Sequence, residues 1–203
     1  PWLLFAGTAG TLVRWARLGQ PVCVTSCVMG GATGPATDAG VLAALVLGQA
    51  AREGSPFVYG GLPVMASLRT GAARFSGPEF VRITVGTARL AHLCGLPGRA
   101  GAASTDDHLL DTRAMAESAE GLSAAVFAGA HFLFQAAGVM SSFNTLSLEK
   151  YVLDADVITA LRAAVDPVRV GEECLAEDVI DAVGSGGGYL SQTHTRLHAH
   201  DLE

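Results

Sequence analysis

Three carboxylates stand close together in one polar stretch: Asp106, Asp107 and Asp111. Paired carboxylates in a loop can carry acid–base work or hold a cation. Helix capping and favourable charge at a helix N-terminus are the alternative, and would satisfy two of the three. Gly30-Gly31-Ala32-Thr33-Gly34 would suit a phosphate at a helix start. It lacks the G-x-G-x-x-G spacing, no acid ends the next strand, and no P-loop lysine follows, so tight turns explain its glycines better. Lys150 is the only lysine. Its place in a helix after a loop does not suit a Schiff base, which needs an amine buried near a strand end. Cys23 and Cys27 share a strand face and have no C-x-x-C partner, the pattern of core cysteines rather than metal ligands. His198 and His200 fit a tail. His194 differs by following an expected strand, and His131 opens another in the manner of a structural residue.

These residues need elements to position them. Four strands are expected at Pro21–Val28, Pro56–Gly60, Pro97–Ala102 and His131–Ala136, each passing into a loop rich in Gly, Ser, Thr or Asp and then a helix. The first is β-branched and apolar, as in a strand buried on both faces. Helices are expected over Thr8–Leu18, from Thr37-Asp38 to Glu53, after Ser76, over Asp111–Ala128 and over Ser147–Val165. Ser76-Gly77-Pro78-Glu79 has the form of a capping box with proline in the first turn, and Gly95 ends that helix. Pro167–Val170 and Tyr189–Thr193 are candidate further strands around a helix at Leu175–Val183. Repeated βα units with right-handed crossovers build a parallel sheet whose strand C-terminal ends gather the loops.

The totals narrow the classes. The chain has 203 residues, half of them hydrophobic and 16% charged, which suits one domain with a real core. A net charge of −6 without a basic stripe argues against nucleic acid. Four cysteines in apolar contexts fit reduced thiols in a cytoplasmic protein. No formal charge falls between Glu120 and Glu149, a span long enough for a bilayer. A helix ending near Gly129, followed by a buried strand, explains that stretch better than a membrane helix. The chain opens on Pro1 in mid-pattern, which reads as part of a longer protein.

Several segments in order resemble one family. They are Gly31-Ala32-Thr33-Gly34-Pro35-Ala36-Thr37 with Ala39-Gly40; Ser76-Gly77-Pro78-Glu79 with Leu90-Ala91 and Gly95-Leu96-Pro97; and Thr105-Asp106 with Asp111, Ala114 and Glu117. Glu149-Lys150 with Asp154, Leu175-Ala176, Ile180, Val183-Gly184, Gly187 and His194-Thr195 complete the set. Together they resemble the C-terminal half of the trimethylamine methyltransferase family, which includes glycine betaine methyltransferases. The resemblance implies a TIM-type (β/α)8 barrel, of which residues 1–203 would be a part with four to six parallel strands and outer helices. It implies transfer of an N-methyl group from a small methylated amine to the cobalt of a separate corrinoid protein, so that no cofactor is bound directly.

In the name-giving members pyrrolysine is thought to activate the amine, and none is written here. The resemblance therefore favours a quaternary, glycine betaine-like substrate, which leaves as a neutral amine and needs mainly orientation. Such a cation is held by aromatic faces and carboxylates, and the residues expected to do so are Tyr59, Phe134, Asp106 and Asp107, with Gln135 and His194 as polar contacts. The alternative is a non-catalytic fragment acting as an interaction domain. Two stretches depart from the family's pattern: Asp107-His108 stands where Ser-Lys is common, and Thr112–Glu117 lacks Gln-Ala-Gly after the matched aspartate. A half-barrel leaves two sheet edges open, which favours homo-oligomers.

Overall fold

The computed structural model describes residues 6–29, 33–67, 69–167 and 169–199. The first compact unit, Pro1–Val165, contains α1 (Ala6–Arg17), β1 (Val22–Met29), α2 (Thr33–Ala51), β2 (Phe57–Ala66), β3 (Ala73–Arg74) and α3 (Pro78–Leu93). It continues with β4 (Gly98–Gly101), α4 (Thr112–Phe127), β5 (Phe132–Phe134), β6 (Val139–Met140), β7 (Thr145–Leu146) and α5 (Leu148–Val165).

β1, β2, β4 and β5 form a parallel sheet in that order, with β3 paired antiparallel to the end of β2. Each parallel strand lies beside the next in sequence, so the sheet has no switch point. With right-handed crossovers, that order keeps the connecting helices on one face. Phe57 and Tyr59 pack there with Leu12 of α1, Val41 and Ala44 of α2 and Ala91 of α3. Farther along, Ala102 and Ala103 after β4 pack with Leu122 of α4 and Leu161 of α5. The sheet is therefore a four-stranded α/β arrangement compatible with part of a barrel.

All four expected strands form, with shifted ends. β2 runs on to Ala66 because Met65 and Ala66 pair with Arg74 and Ala73. α2 begins at Thr33, so Thr37 and Asp38 lie inside it rather than at its start. Of the glycine-rich stretch, residues 30–32 fall outside the described residues. At α3 the proline sits in the first turn, but the capping box does not form. Gly77 is the N-cap at φ 89° with no side-chain bond, and Ser76 Oγ donates to Asp106 instead, at 2.8 Å. Asp111 does cap α4, accepting from the N–H groups of Arg113 and Ala114 at 2.9 and 3.0 Å. The short β6–β7 hairpin was not expected. Cys23 is an exposed free thiol, contrary to the core reading, and Cys94 is exposed as well.

The second unit, Asp166–Glu203, holds α6 (Glu172–Leu175), α7 (Glu177–Val183), a 3-10 turn at Tyr189–Ser191 and α8 (Thr193–Leu197). Neither expected strand forms there. Pro167, Arg169 and Val170 are irregular, and Pro167 has no N–H to give a ladder. Around Tyr189, Ser191 Oγ and Gln192 Nε2 both donate to the Gly188 carbonyl. Such local bonds compete with strand pairing. The single helix expected at Leu175–Val183 breaks at Ala176, where φ is 46°. No helix among the described residues is long and apolar enough to cross a membrane.

One ion pair ties the later elements of the first unit together. Lys150 and Asp154, one turn apart on α5, are both fully buried. Lys150 Nζ lies 2.6 Å from Asp154 Oδ2 and donates to the Ala103 carbonyl and Ser118 Oγ, each at 3.0 Å. Asp154 also accepts from Ser118 Oγ and from Gly138 N–H, at 2.5 and 2.8 Å. Strand end, α4, hairpin and α5 thus meet at one cation and one carboxylate, with the ammonium's three donors all engaged. Removing one partner of such a pair leaves a buried charge uncompensated. Lys150→Met or Asp154→Leu should each cost about 3–5 kcal/mol. The double variant should cost clearly less than the sum in urea unfolding, and full additivity would refute the coupling.

Candidate functional site

The two faces of the sheet follow from strand alternation. A Cβ on Gly98 would meet Ala91 of α3, so Gly98 faces the helices and its neighbour Arg99 faces the other way. Tyr59 pairs in register with Gly98 and shares its side. The face away from the helices carries Cys23, Thr25, Gly60, Arg99, Phe132 and Phe134. Phe132 and Phe134 are 52% and 44% exposed, so this face is open.

Arg99 crosses that face while only 4% exposed. Thr25, Gly60 and Arg99 lie side by side on three neighbouring strands. Its guanidinium reaches over Gly60 to donate to Thr25 Oγ1 at 3.0 Å. A side chain at residue 60 would stand in the way, since a Cβ there would fall 3.0 Å from Thr25 Oγ1. A second nitrogen donates to Gln135 Oε1 at 3.4 Å, and the guanidinium carbon lies 4.3 Å from the centre of the Phe134 ring. Among the described residues no carboxylate lies within ion-pair distance of it. Burial pulls its pKa below the ordinary guanidinium range, and Cys23 acts in the opposite sense. Arginine nevertheless stays charged. The result is a buried cation with two of five N–H donors in use.

A second group of residues lines a polar cleft of about 540 Å³ at the loops after β2, β4 and β5. Asp106 is its hub. Oδ1 accepts from Phe75 N–H and Ser142 Oγ, both at 2.8 Å. Oδ2 accepts from Ser76 Oγ at 2.8 Å and Arg74 Nε at 3.3 Å. With four donors on two oxygens, this carboxylate anchors three loops. One is the turn Ser141-Ser142-Phe143, whose φ angles of 53°, 52° and 70° are all left-handed. Non-glycine residues there cost of order 1 kcal/mol each. The turn is held by Ser141 N–H to the Asp107 carbonyl, Ser142 N–H to the Thr105 carbonyl, and an edge-on contact of Phe143 with Phe75 at 4.2 Å.

Glu117 braces the same loop from α4. It accepts from Thr105 Oγ1 at 2.7 Å, Asp106 N–H at 3.2 Å and Arg113 Nε at 3.1 Å. Burial is the largest single influence and pushes its carboxyl up. The donors on it, the Thr105 hydroxyl, the Asp106 N–H and Arg113, outweigh it and hold the carboxyl below the usual range. Asp107 Oδ2 also lies 3.3 Å from Arg113 Nε, without hydrogen-bond geometry. His108 Nδ1 lies 2.9 Å from Ser141 Oγ.

The expected site residues therefore separate. Phe134 and Gln135 meet at Arg99 on the open face. Asp106 and Asp107 meet in the cleft. Tyr59 is 1% exposed on the helix side of β2, away from the open face. His194 belongs to the second unit, where Nε2 lies 2.7 Å from the Glu173 carbonyl. Arg99 was not singled out from sequence. Its signal was a charged residue flanked by glycine and alanine within an otherwise uncharged strand.

Comparison with known proteins now bears on this geometry. Residues 1–201 match the family model described as trimethylamine methyltransferase. The chain belongs to that family. It is 35% identical over 195 residues to a glycine betaine methyltransferase of Desulfitobacterium hafniense, an alignment covering 92% of this chain and 41% of that protein. It is 31% identical over 204 residues to a trimethylamine methyltransferase of Methanosarcina thermophila, covering 97% and 42% respectively. The chain thus spans about two fifths of the length of these relatives. Asp107 lies 3.3 Å from Arg113, so the Asp107-His108 and Thr112–Glu117 stretches meet in space.

Glu117 gives a pH test. Its carboxyl is held down in the folded state, so the stability it adds is present above the unfolded-state value and is lost as pH falls through the folded-state value. Below the ordinary glutamate range, stability should fall less steeply in Glu117→Gln than in the parent. Parallel acid limbs in urea titrations would refute this.

Proposed function

We propose that this chain carries the substrate-binding part of a (β/α)8-barrel methyltransferase that moves an N-methyl group from a quaternary ammonium carboxylate to a corrinoid protein. The observation that carries the reading is Arg99, a buried cation with unused donors and no carboxylate partner among the described residues. A substrate carboxylate would complete it, because bidentate arginine–carboxylate pairing uses those donors in a fixed geometry. Trimethylamine has no such group, and a betaine does. Half-exposed Phe134 offers an aromatic face beside Arg99 for the ammonium end.

The residues' roles follow from the charge change. When the C–N bond breaks, its electron pair stays on nitrogen and the amine leaves neutral, so no general acid is required. The open inner face leaves access for a group brought by a partner, and the corrinoid would supply the cobalt that accepts the methyl group. Arg99 orients the carboxylate, Gln135 and Thr25 orient Arg99, and Phe134 stabilises the cation until its charge is lost. That the two sequence departures pair with each other, Asp107 with Arg113, supports a retained site over a decayed one.

The test is binding of glycine betaine, with choline as a quaternary ammonium lacking the carboxylate. Arg99→Gln should weaken glycine betaine binding at least about tenfold, roughly 1.4 kcal/mol. It should leave choline within about twofold, a few tenths of a kcal/mol on the same scale. Equal losses for both ligands, or none for glycine betaine, would refute the assignment. Methyl transfer to cob(I)alamin from glycine betaine, compared with trimethylamine, tests the reaction itself.

A further inference from the structure

The start of β4 is held by a histidine. His131 N–H donates to the Gly98 carbonyl at 2.9 Å, and Gly98 N–H donates back to His131 Nδ1 at 3.2 Å. A backbone N–H can only donate, so Nδ1 is the bare nitrogen of a neutral ring. Gly98 is the first residue of β4 and Arg99 the second. From this double bond the register runs on through Arg99 beside Phe132 and Gly101 beside Phe134. That register brings Phe134 and Gln135 to the Arg99 guanidinium.

A second imidazole backs this clasp. Strand alternation puts His131 on the side opposite Phe132, the helix side of the sheet. His92, in the last turn of α3, stands there with its ring centre 5.1 Å from that of His131. Its Nε2 lies 2.9 Å from the Gly129 carbonyl, an acceptor, so that nitrogen carries the proton. Around the pair, α3 adds Arg89 one turn back and Cys94 at its C-cap, both exposed. The end of α4 adds no titratable group, and Arg99 faces the other way. Among the described residues no carboxylate lies within ion-pair distance of either ring. A proton on His131 Nδ1 would meet Gly98 N–H donor to donor, beside a second imidazole and with no such carboxylate to offset it.

We propose that His131 is a positioning residue for the Arg99 site and serves it only as the neutral imidazole. This rests on the reading of Arg99 as the carboxylate-binding group. Taking up a proton costs the Gly98 bond, frees the start of β4 from β5 and loosens Phe134 and Gln135 against Arg99. Imidazole changes charge between about pH 5 and 8, while arginine and a substrate carboxylate keep theirs. The clasp is therefore closed at neutral pH and opens as pH falls.

The experiment measures hydrogen exchange and glycine betaine binding on the 203-residue chain at about pH 7.5 and about pH 5. On acidification the protection of the Gly98 amide, corrected for intrinsic exchange, should fall about fivefold, the worth of one hydrogen bond. Glycine betaine affinity should fall with it. His131→Asn offers Gly98 a side-chain oxygen that does not titrate, and should hold both quantities near the parent's neutral-pH values. His131→Leu should be weak in both at either pH, with unchanged helix content by circular dichroism showing that it folds. Constant Gly98 protection in the parent, an equal fall in His131→Asn, or falling protection with constant affinity would each overturn the proposal. In all three cases binding at neutral pH, and its loss in Arg99→Gln, would leave the reading of Arg99 standing. No binding at neutral pH would overturn that reading and the positioning role with it.

Discussion

The buried pair of Lys150 and Asp154 is the constraint on which the later half of the first unit rests. Charges are costly to bury, so this pair is tolerable only with every donor and acceptor matched. The matching partners come from the Ala103 carbonyl, Ser118 and Gly138. Those groups sit on the loop after β4, on α4 and on the entry to the β6–β7 hairpin. Satisfying the pair therefore fixes how these elements meet. The same loop carries Asp106 and Asp107, and the same hairpin carries the left-handed turn, so the polar cleft inherits its shape from a contact outside it.

The sheet applies the same rule differently. Arg99 is buried without a carboxylate among the described residues, held by a hydroxyl, an amide oxygen and an aromatic face. Its approach to Thr25 depends on the absence of a side chain at Gly60. Lys150 has a complete environment and Arg99 an incomplete one. That contrast separates a cation whose donors are all matched from one with donors to spare among the described residues.

Much of the scaffold was legible in the chain. The four parallel strands, their helices, the cap at Asp111 and the stop at Gly95 follow from periodicity and local chemistry, which act within a few residues. The failures share a cause. Ser76 left its capping role for Asp106, thirty residues away. The two strands expected after Val165 gave way to irregular backbone and helical turns, because a strand requires a neighbour that its own residues cannot provide. Cys23 read as a core residue since β1 is largely apolar and β-branched, yet its side faces the open surface of the sheet.

The candidate site divides along the same line. Sequence alone determined that carboxylates gather after β4, that Phe134 and Gln135 fall in the fourth strand segment His131–Ala136, and which family the ordered segments resemble. Those are matters of residue type and order along the chain. Only the tertiary structure decided that Asp106 is a fully occupied anchor, that Tyr59 faces the helices and that Arg99 reaches over β2 to Thr25 with no carboxylate partner among the described residues. Each of those depends on which distant groups supply or withhold a hydrogen bond. Strand register and helix packing set that, and no local rule encodes it.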